Sequence, residues 1–124
     1  MSENEIVIFG TGEFAQEIFL YIEKFSKLKV VAFTIHKEFI KEEKLYEKPI
    51  IPFEEIENNY SPNKVSMIIC IGFSKMNKKR EKIFLEVKNK NYKLENFIHP
   101  SNYVWDKLEI GENCIILENN VIRP

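Results

Sequence analysis

Glu5-Ile6-Val7-Ile8-Phe9-Gly10-Thr11-Gly12-Glu13-Phe14-Ala15 decides how the rest of this 124-residue chain is read. The apolar run enters glycine without the polar alternation of a half-exposed strand, so it predicts a parallel strand buried on both faces. Beyond the glycines, Phe14, Ile18, Tyr21, Ile22 and Phe25 fall at i, i+4, i+7, i+8 and i+11. That is one face of a helix of about three turns. Lys29-Val30-Val31-Ala32-Phe33-Thr34-Ile35 is again apolar and β-branched, a second strand. Strand, helix and strand form a βαβ unit, which implies parallel strands and a right-handed crossover.

Working outward, residues 37–44 are charged, with Phe39 and Ile40 as apolar anchors, and read as a short helix or a loop. Pro49-Ile50-Ile51-Pro52 reads as an extended piece at a sheet edge, because proline cannot donate to a ladder. Residues 53–60 predict a brief helix ended by Ser61-Pro62-Asn63. Val65-Ser66-Met67-Ile68-Ile69-Cys70-Ile71-Gly72 repeats the pattern of a buried strand closed by glycine. The next helix is expected over about 75–89, with Met76, Ile83, Phe84 and Val87 inward and Lys82 and Glu86 paired at i,i+4. Lys93-Leu94-Glu95-Asn96-Phe97-Ile98-His99 predicts a further strand, stopped by Pro100-Ser101. Residues 1–99 are therefore expected to form one α/β, Rossmann-like domain with four or five parallel strands.

A different rhythm begins at Val104. Val104, Ile110, Ile116 and Ile122 recur every six residues, and Ile110-Gly111-Glu112-Asn113-Cys114-Ile115 is a well-formed hexapeptide unit. This period belongs to parallel β-helices, whose coils bury their aliphatic faces only when stacked. Residues 100–124 are thus expected to be the first coil of such a helix, cut within a longer structure and rigidly joined to the front domain.

Composition narrows the function classes. An apolar fraction of 44%, a charged fraction of 30% and a net charge of −1 describe an ordinary globular protein. Lys and Glu are interspersed, and no basic stripe marks a nucleic-acid face. No stretch approaches the roughly 18 apolar residues that span a membrane, and the N-terminus lacks the basic region of a signal peptide, so a cytoplasmic location is expected. Cys70 and Cys114 sit in apolar, strand-like contexts without metal-binding spacing and read as reduced packing residues; no metal is expected.

The chemistry concentrates in Gly10-Thr11-Gly12-Glu13-Phe14-Ala15, which fits G-x-G-x-x-G/A between a strand and a helix. Gly10 permits the tight turn, Gly12 lets the backbone approach a phosphate, and Ala15 allows close helix–strand packing. The helix N-terminus offers unpaired N–H groups to an anion. Phosphate or nucleotide binding is the functional reading of these residues, and a merely structural turn is the other. A dinucleotide site would need an acidic residue at the end of the second strand. That strand ends Thr34-Ile35-His36-Lys37, and no carboxylate comes before Glu38, which disfavours NAD or FAD. A nucleotide carrying a sugar on its diphosphate suits the smaller site better.

His36 is then either an exposed turn histidine or a contact to base or ribose. Gly72 ends the next strand at the same edge, where a missing side chain opens the crevice. Phe73 is placed to lie against a flat base or sugar. Asn77 and Arg80 follow on the first turns of the next helix, and Arg80 pairs either with a diphosphate or with surface Glu. His99, held out of helical geometry by Pro100, reads as a structural residue of the junction. Asp106 is the only aspartate, so no carboxylate pair is proposed.

In order along the chain, Gly10-Thr11-Gly12-Glu13-Phe14-Ala15, Cys70-Ile71-Gly72 with Asn77 and Arg80, Ile98-His99-Pro100-Ser101 and Ile110-Gly111-Glu112-Asn113-Cys114 resemble the NeuD/PglD-type nucleotide-sugar acetyltransferases of bacterial surface-glycan synthesis. The resemblance covers essentially the whole chain. It implies a Rossmann-like N-terminal domain that cradles a nucleotide-sugar, followed by a left-handed β-helix of hexapeptide repeats. It also implies N-acetylation of a UDP- or dTDP-linked amino-deoxy sugar, with acetyl-CoA as co-substrate bound between neighbouring β-helices and a homotrimeric full-length protein. The family's general-base histidine lies in the β-helix and would fall beyond Pro124, so no residue here takes a catalytic role. His36 departs from the acidic residue many relatives carry there.

The reading is thus the nucleotide-sugar-binding part of a sugar N-acetyltransferase, inactive by itself. Its alternatives are a stand-alone nucleotide-binding or scaffold module without catalysis, and a small NAD-dependent enzyme.

Overall fold

The computed structural model describes residues 4–71, 77–95, 97–98, 115–117 and 120–122; for 77–80 and for the last three segments it describes the backbone alone. Strand β1 spans Glu5–Phe9, helix α1 Glu13–Phe25 and strand β2 Lys29–Ile35, which is the βαβ unit the sequence predicts. A 3-10 turn over Lys37–Phe39 leads to a hairpin of β3 (Lys44–Leu45) and β4 (Lys48–Pro52). A second 3-10 turn, Phe53–Glu55, runs into the single turn of α2 (Ile56–Asn59). Strand β5 is Ser66–Ile69 and helix α3 Asn77–Asn89.

The sheet order is β3-β4-β2-β1-β5, parallel throughout except for β3. The chain builds outward from β1 to β2 and β4, then returns to the other side of β1 for β5. That reversal places a topological switch point at the carboxyl ends of β1 and β5, where sheets of this kind hold their ligands.

Alternation along β1 divides the core between the two faces. Ile6 and Ile8 pack with α1 through Ala15, Ile18, Phe19 and Ile22. Val7 and Phe9 pack on the other face with Phe53, Ile56, Ile83, Val87 and Tyr92. The register of β1 on β2 slips once, with Ile6 opposite Val30 and Val7 opposite Ala32. Val31 is the extra residue, and the bulge explains why Val30 and Phe33, an odd distance apart, share one core. Thr34 is the polar residue buried in the sheet, and its hydroxyl donates to the Ile51 carbonyl at 2.6 Å.

Three expectations are corrected. The inward face of α1 is Ala15, Ile18, Phe19 and Ile22, rotated from the predicted stripe. Phe25, expected inward, is 39% exposed in the last turn beside Tyr21 and Lys24, while Phe14 and Tyr21 are half-buried. Residues 44–48 form a hairpin where the sequence suggested no strand. Tyr46 and Glu47 both take positive φ, 52° and 64°, the signature of a type I′ turn without its usual Asn or Gly. Tyr46 stacks on Phe19 with centroids 4.7 Å apart and planes 7° off parallel, which offsets the cost of that backbone. Thirdly, the strand expected over 93–99 appears in two parts. Leu94 bridges Met67 and extends the sheet beyond β5, whereas β6 (Phe97–Ile98) pairs with β7 (Ile115–Leu117).

The predicted β-helix coil falls mostly outside the described residues. Its described parts, β7 and β8 (Asn120–Ile122), pair antiparallel, with Ile115 opposite Ile122.

Candidate functional site

Gly10 closes β1 with φ +134°, a conformation that residues with a side chain rarely adopt. Its N–H donates to the Thr34 carbonyl at 2.9 Å. A β-carbon here would strike the backbone carbonyl of Cys70 and stand 3.3 Å from the Ala15 methyl. Gly10 is therefore fixed by β2, β5 and α1 together, and the fully buried Ala15 answers it from the helix. Gly12 differs. It caps α1 in an extended conformation, has no side-chain cap bond, and a β-carbon on it would meet nothing within 4 Å. The first glycine serves packing, and the second leaves a helix N-terminus uncovered.

That terminus opens into a cleft of about 540 Å³ walled by Gly10 to Phe14, Phe9, Ile35, His36, Phe39 and Cys70–Ile71, which follow β5. Gln16 pins the turn by donating its Nε2 to the Thr11 carbonyl at 3.1 Å. No lysine or arginine lines this cleft among the described residues. An anion there would rest on backbone N–H groups and the helix dipole. Glu13, exposed in the first turn, also lines the cleft.

A second cavity of about 860 Å³ adjoins the first across His36, Phe39 and Ile83, and reaches Phe53, Glu54, Lys82, Glu86 and Lys90. His36 is neither an exposed turn residue nor free. Its Nε2 lies 2.8 Å from Glu86 Oε1. Its ring stands edge-on to Phe9 and Phe53, each 5.6 Å away. This corrects the expected Lys82–Glu86 pair: Glu86 turns to His36, and no ion pair of Lys82 is found among the described residues. Below, Lys90 Nζ donates to the Phe53 carbonyl at 3.0 Å and to Glu57 at 2.7 Å, and sits 4.6 Å over the Phe53 ring. Burial pushes the Glu54 carboxyl up, but the backbone N–H groups of Lys37 and of Glu54 itself, with nearby positive charge, together outweigh this and hold it below its ordinary value.

Of the residues singled out by sequence, Gly10, Thr11, Gly12, Glu13, Phe14 and His36 line one cleft, with Ala15 directly behind it. Gly72 and Phe73 lie outside the described residues, as do the side chains of Asn77 and Arg80, and Cys114, His99 and Asp106. Cys70 is buried as expected. Sequence reasoning missed Glu86, fifty positions from its partner His36, and missed Phe39, half exposed at the mouth of both cavities. Among the described residues no three His, Cys, Asp or Glu come together as a metal site, and no helix is long and apolar enough to cross a membrane.

The profile of the PglD N-terminal domain matches residues 5–87, the stretch that carries β1 to β5 and α3 almost to its end. The chain belongs to this family.

No curated protein matches the sequence. Solved structures share the PglD N-terminal domain's fold. A mutant of perosamine N-acetyltransferase from Caulobacter crescentus, in complex with CoA and GDP-perosamine, aligns with TM-score 0.74 and 20% identity over 93% of this chain and 52% of its own. The acetyltransferase domain of PglB from Neisseria gonorrhoeae, in complex with acetyl coenzyme A, aligns with TM-score 0.66 and 17% identity over 90% and 52%. RSP, a Rex-family repressor, aligns with TM-score 0.54 and 18% identity over 92% and 51%. The chain thus spans about half the length of each. At these identities the likeness is one of fold, and a repressor among the neighbours shows that fold alone does not name the activity.

Proposed function

We propose that this chain is the nucleotide-sugar-binding part of an acetyl-CoA-dependent sugar N-acetyltransferase. The observation that carries the reading is the uncovered Gly12 end of α1, which opens into the cleft at the sheet's switch point in a chain of the PglD N-terminal domain family. In this reading the backbone from Gly10 to Phe14 holds the diphosphate, with Ala15 letting α1 approach β1. His36 and Phe39 meet the nucleoside, and Gly72, Phe73, Asn77 and Arg80 are assigned further contacts to the nucleotide-sugar. The acetylated group is an amine on the sugar. The acetyl-CoA site and the general base belong to the β-helix part, so the chain alone binds without transferring acetyl. A cytoplasmic homotrimer is the form proposed for the whole enzyme.

UDP- or dTDP-linked amino-deoxy sugars are the expected ligands. The GDP-perosamine bound by the Caulobacter enzyme adds a GDP-sugar to those worth testing. Calorimetric titration with UDP-, dTDP- and GDP-sugars is expected to show weak binding of at least one, with no acetyl transfer when acetyl-CoA is added. Silence with all three overturns the reading.

A further inference from the structure

In folds of this class, the ribose of a nucleotide held at the glycine turn falls against the residue ending the second strand, where a carboxylate takes its 2′-hydroxyl. Here that residue is His36, and Glu38, the next carboxylate along the chain, is exposed on the turn beyond it. The missing carboxylate arrives from elsewhere in the fold. Glu86 of α3 meets His36 Nε2 at 2.8 Å. An ionised carboxylate can only accept, so Nε2 must donate, and in a neutral ring Nδ1 is left as the acceptor. Phe9 and Phe53 hold the ring edge-on from two sides, at interplanar angles of 73° and 77°. No described residue bonds Nδ1. His36 lines both cavities, whereas Glu86 lines only the second.

We propose that His36, oriented by Glu86, accepts a hydrogen bond from the ribose 2′-hydroxyl of the bound nucleotide, so that the site takes ribonucleoside diphosphates over their 2′-deoxy counterparts. The inference rests on the nucleotide-sugar reading above and narrows it toward UDP- or GDP-linked sugars and away from dTDP-linked ones. His36 is the binding residue. Glu86 is a positioning residue that acts through it, and the second cavity gives the base its room.

The test titrates the whole chain with UDP against dUDP and GDP against dGDP, pairs that differ by one hydroxyl. The ribonucleotide that binds is expected to do so about tenfold more tightly than its deoxy partner, the effect of one hydrogen bond. His36→Phe keeps the ring packing without the acceptor and should bring the two to equal affinity by weakening the ribonucleotide alone. Glu86→Leu should narrow the ratio, and nitrogen-15 spectra of its imidazole should show Nδ1 protonated more than in the wild type. Binding with no ribose preference in the wild type overturns this inference and leaves nucleotide binding intact. A preference that survives His36→Phe also overturns it. Silence with all four ligands removes both readings together.

Discussion

Gly10 stands so close to the carbonyl of Cys70 that no β-carbon fits between β1 and β5 at this point. The contact is with backbone, which cannot rotate away, and the φ of +134° adds strain for any L side chain. Gly10→Ala is therefore expected to destabilise the fold by about 3 kcal/mol or more in chemical denaturation. Gly12→Ala has open space and φ −80°, so stability should stay within about 1 kcal/mol of wild type. Gly12 lines the cleft, so the added methyl group should lower nucleotide affinity. Equal stability loss in the two variants would show that the glycines share one role.

The hairpin turn supplies a second prediction. Glu47 holds φ 64° with an exposed side chain that makes no hydrogen bond or ion pair to another described residue, so its strained backbone has no local reward. Glu47→Gly is expected to stabilise the protein by about 1 kcal/mol, read as a rise in Tm. Tyr46→Gly relieves the same strain but loses the stack on Phe19, and should give no such gain. A lower Tm for Glu47→Gly would contradict the type I′ assignment.

These two places also show how far the sequence could be read. Buried parallel strands announce themselves as unbroken apolar runs, and β1, β2 and β5 lie where the runs at Glu5, Lys29 and Val65 placed them. The hairpin was hidden because Tyr46-Glu47 has none of the residues that make positive φ cheap, and its stabilising contact is to Phe19, far away in sequence. The face of α1 shares only Ile18 and Ile22 with the expected stripe, since Phe14 and Phe25 carry aromatic rings that belong to the cleft wall and the helix end. The bulge at Val31 leaves no mark in a run where every residue is apolar. At the site, the glycine spacing fixed the turn and the crevice. Glu86 looked like half of a helical ion pair, because the alternative partner, His36, is brought near only by the packing of α3 on the sheet.

Tyr92 carries a third prediction. Its ring is 1% exposed and its hydroxyl donates to the Tyr60 carbonyl. Burial, helped by the nearby Glu57 charge, pushes the phenol up to about 12 from an ordinary 10.0. The native state thus keeps its proton longer than the unfolded chain. The associated stability is fully present below pH 10 and is lost as pH rises from 10 through 12, to the extent of about 3 kcal/mol. Tyr92→Phe should remove this alkaline component while costing about 1–2 kcal/mol at neutral pH, because the Tyr60 carbonyl loses its donor. A wild-type phenol titrating near 10 in ultraviolet difference spectra would refute the assignment.

Lys90 ties the C-terminal end of α3 to the Phe53 turn, and the tie has an acid-side signature. Hydrogen bonding by Lys90 is the main cause that holds the Glu57 carboxyl below its ordinary value, ahead of a smaller opposing effect of burial. A depressed carboxyl contributes stability that is present above its unfolded value of 4.5 and is lost as pH falls through the folded one. Glu57 is 42% exposed, so solvent screening keeps that contribution below about 1 kcal/mol. Lys90→Met keeps the apolar stem over Phe53 but removes the charge. The Glu57 carboxyl should then return to the ordinary range in a carbon-13 titration, and the fold should lose about 1–2 kcal/mol, mostly through the Phe53 carbonyl left without its charged donor. An unmoved Glu57 would mean that the pair seen at 2.7 Å does not govern its titration.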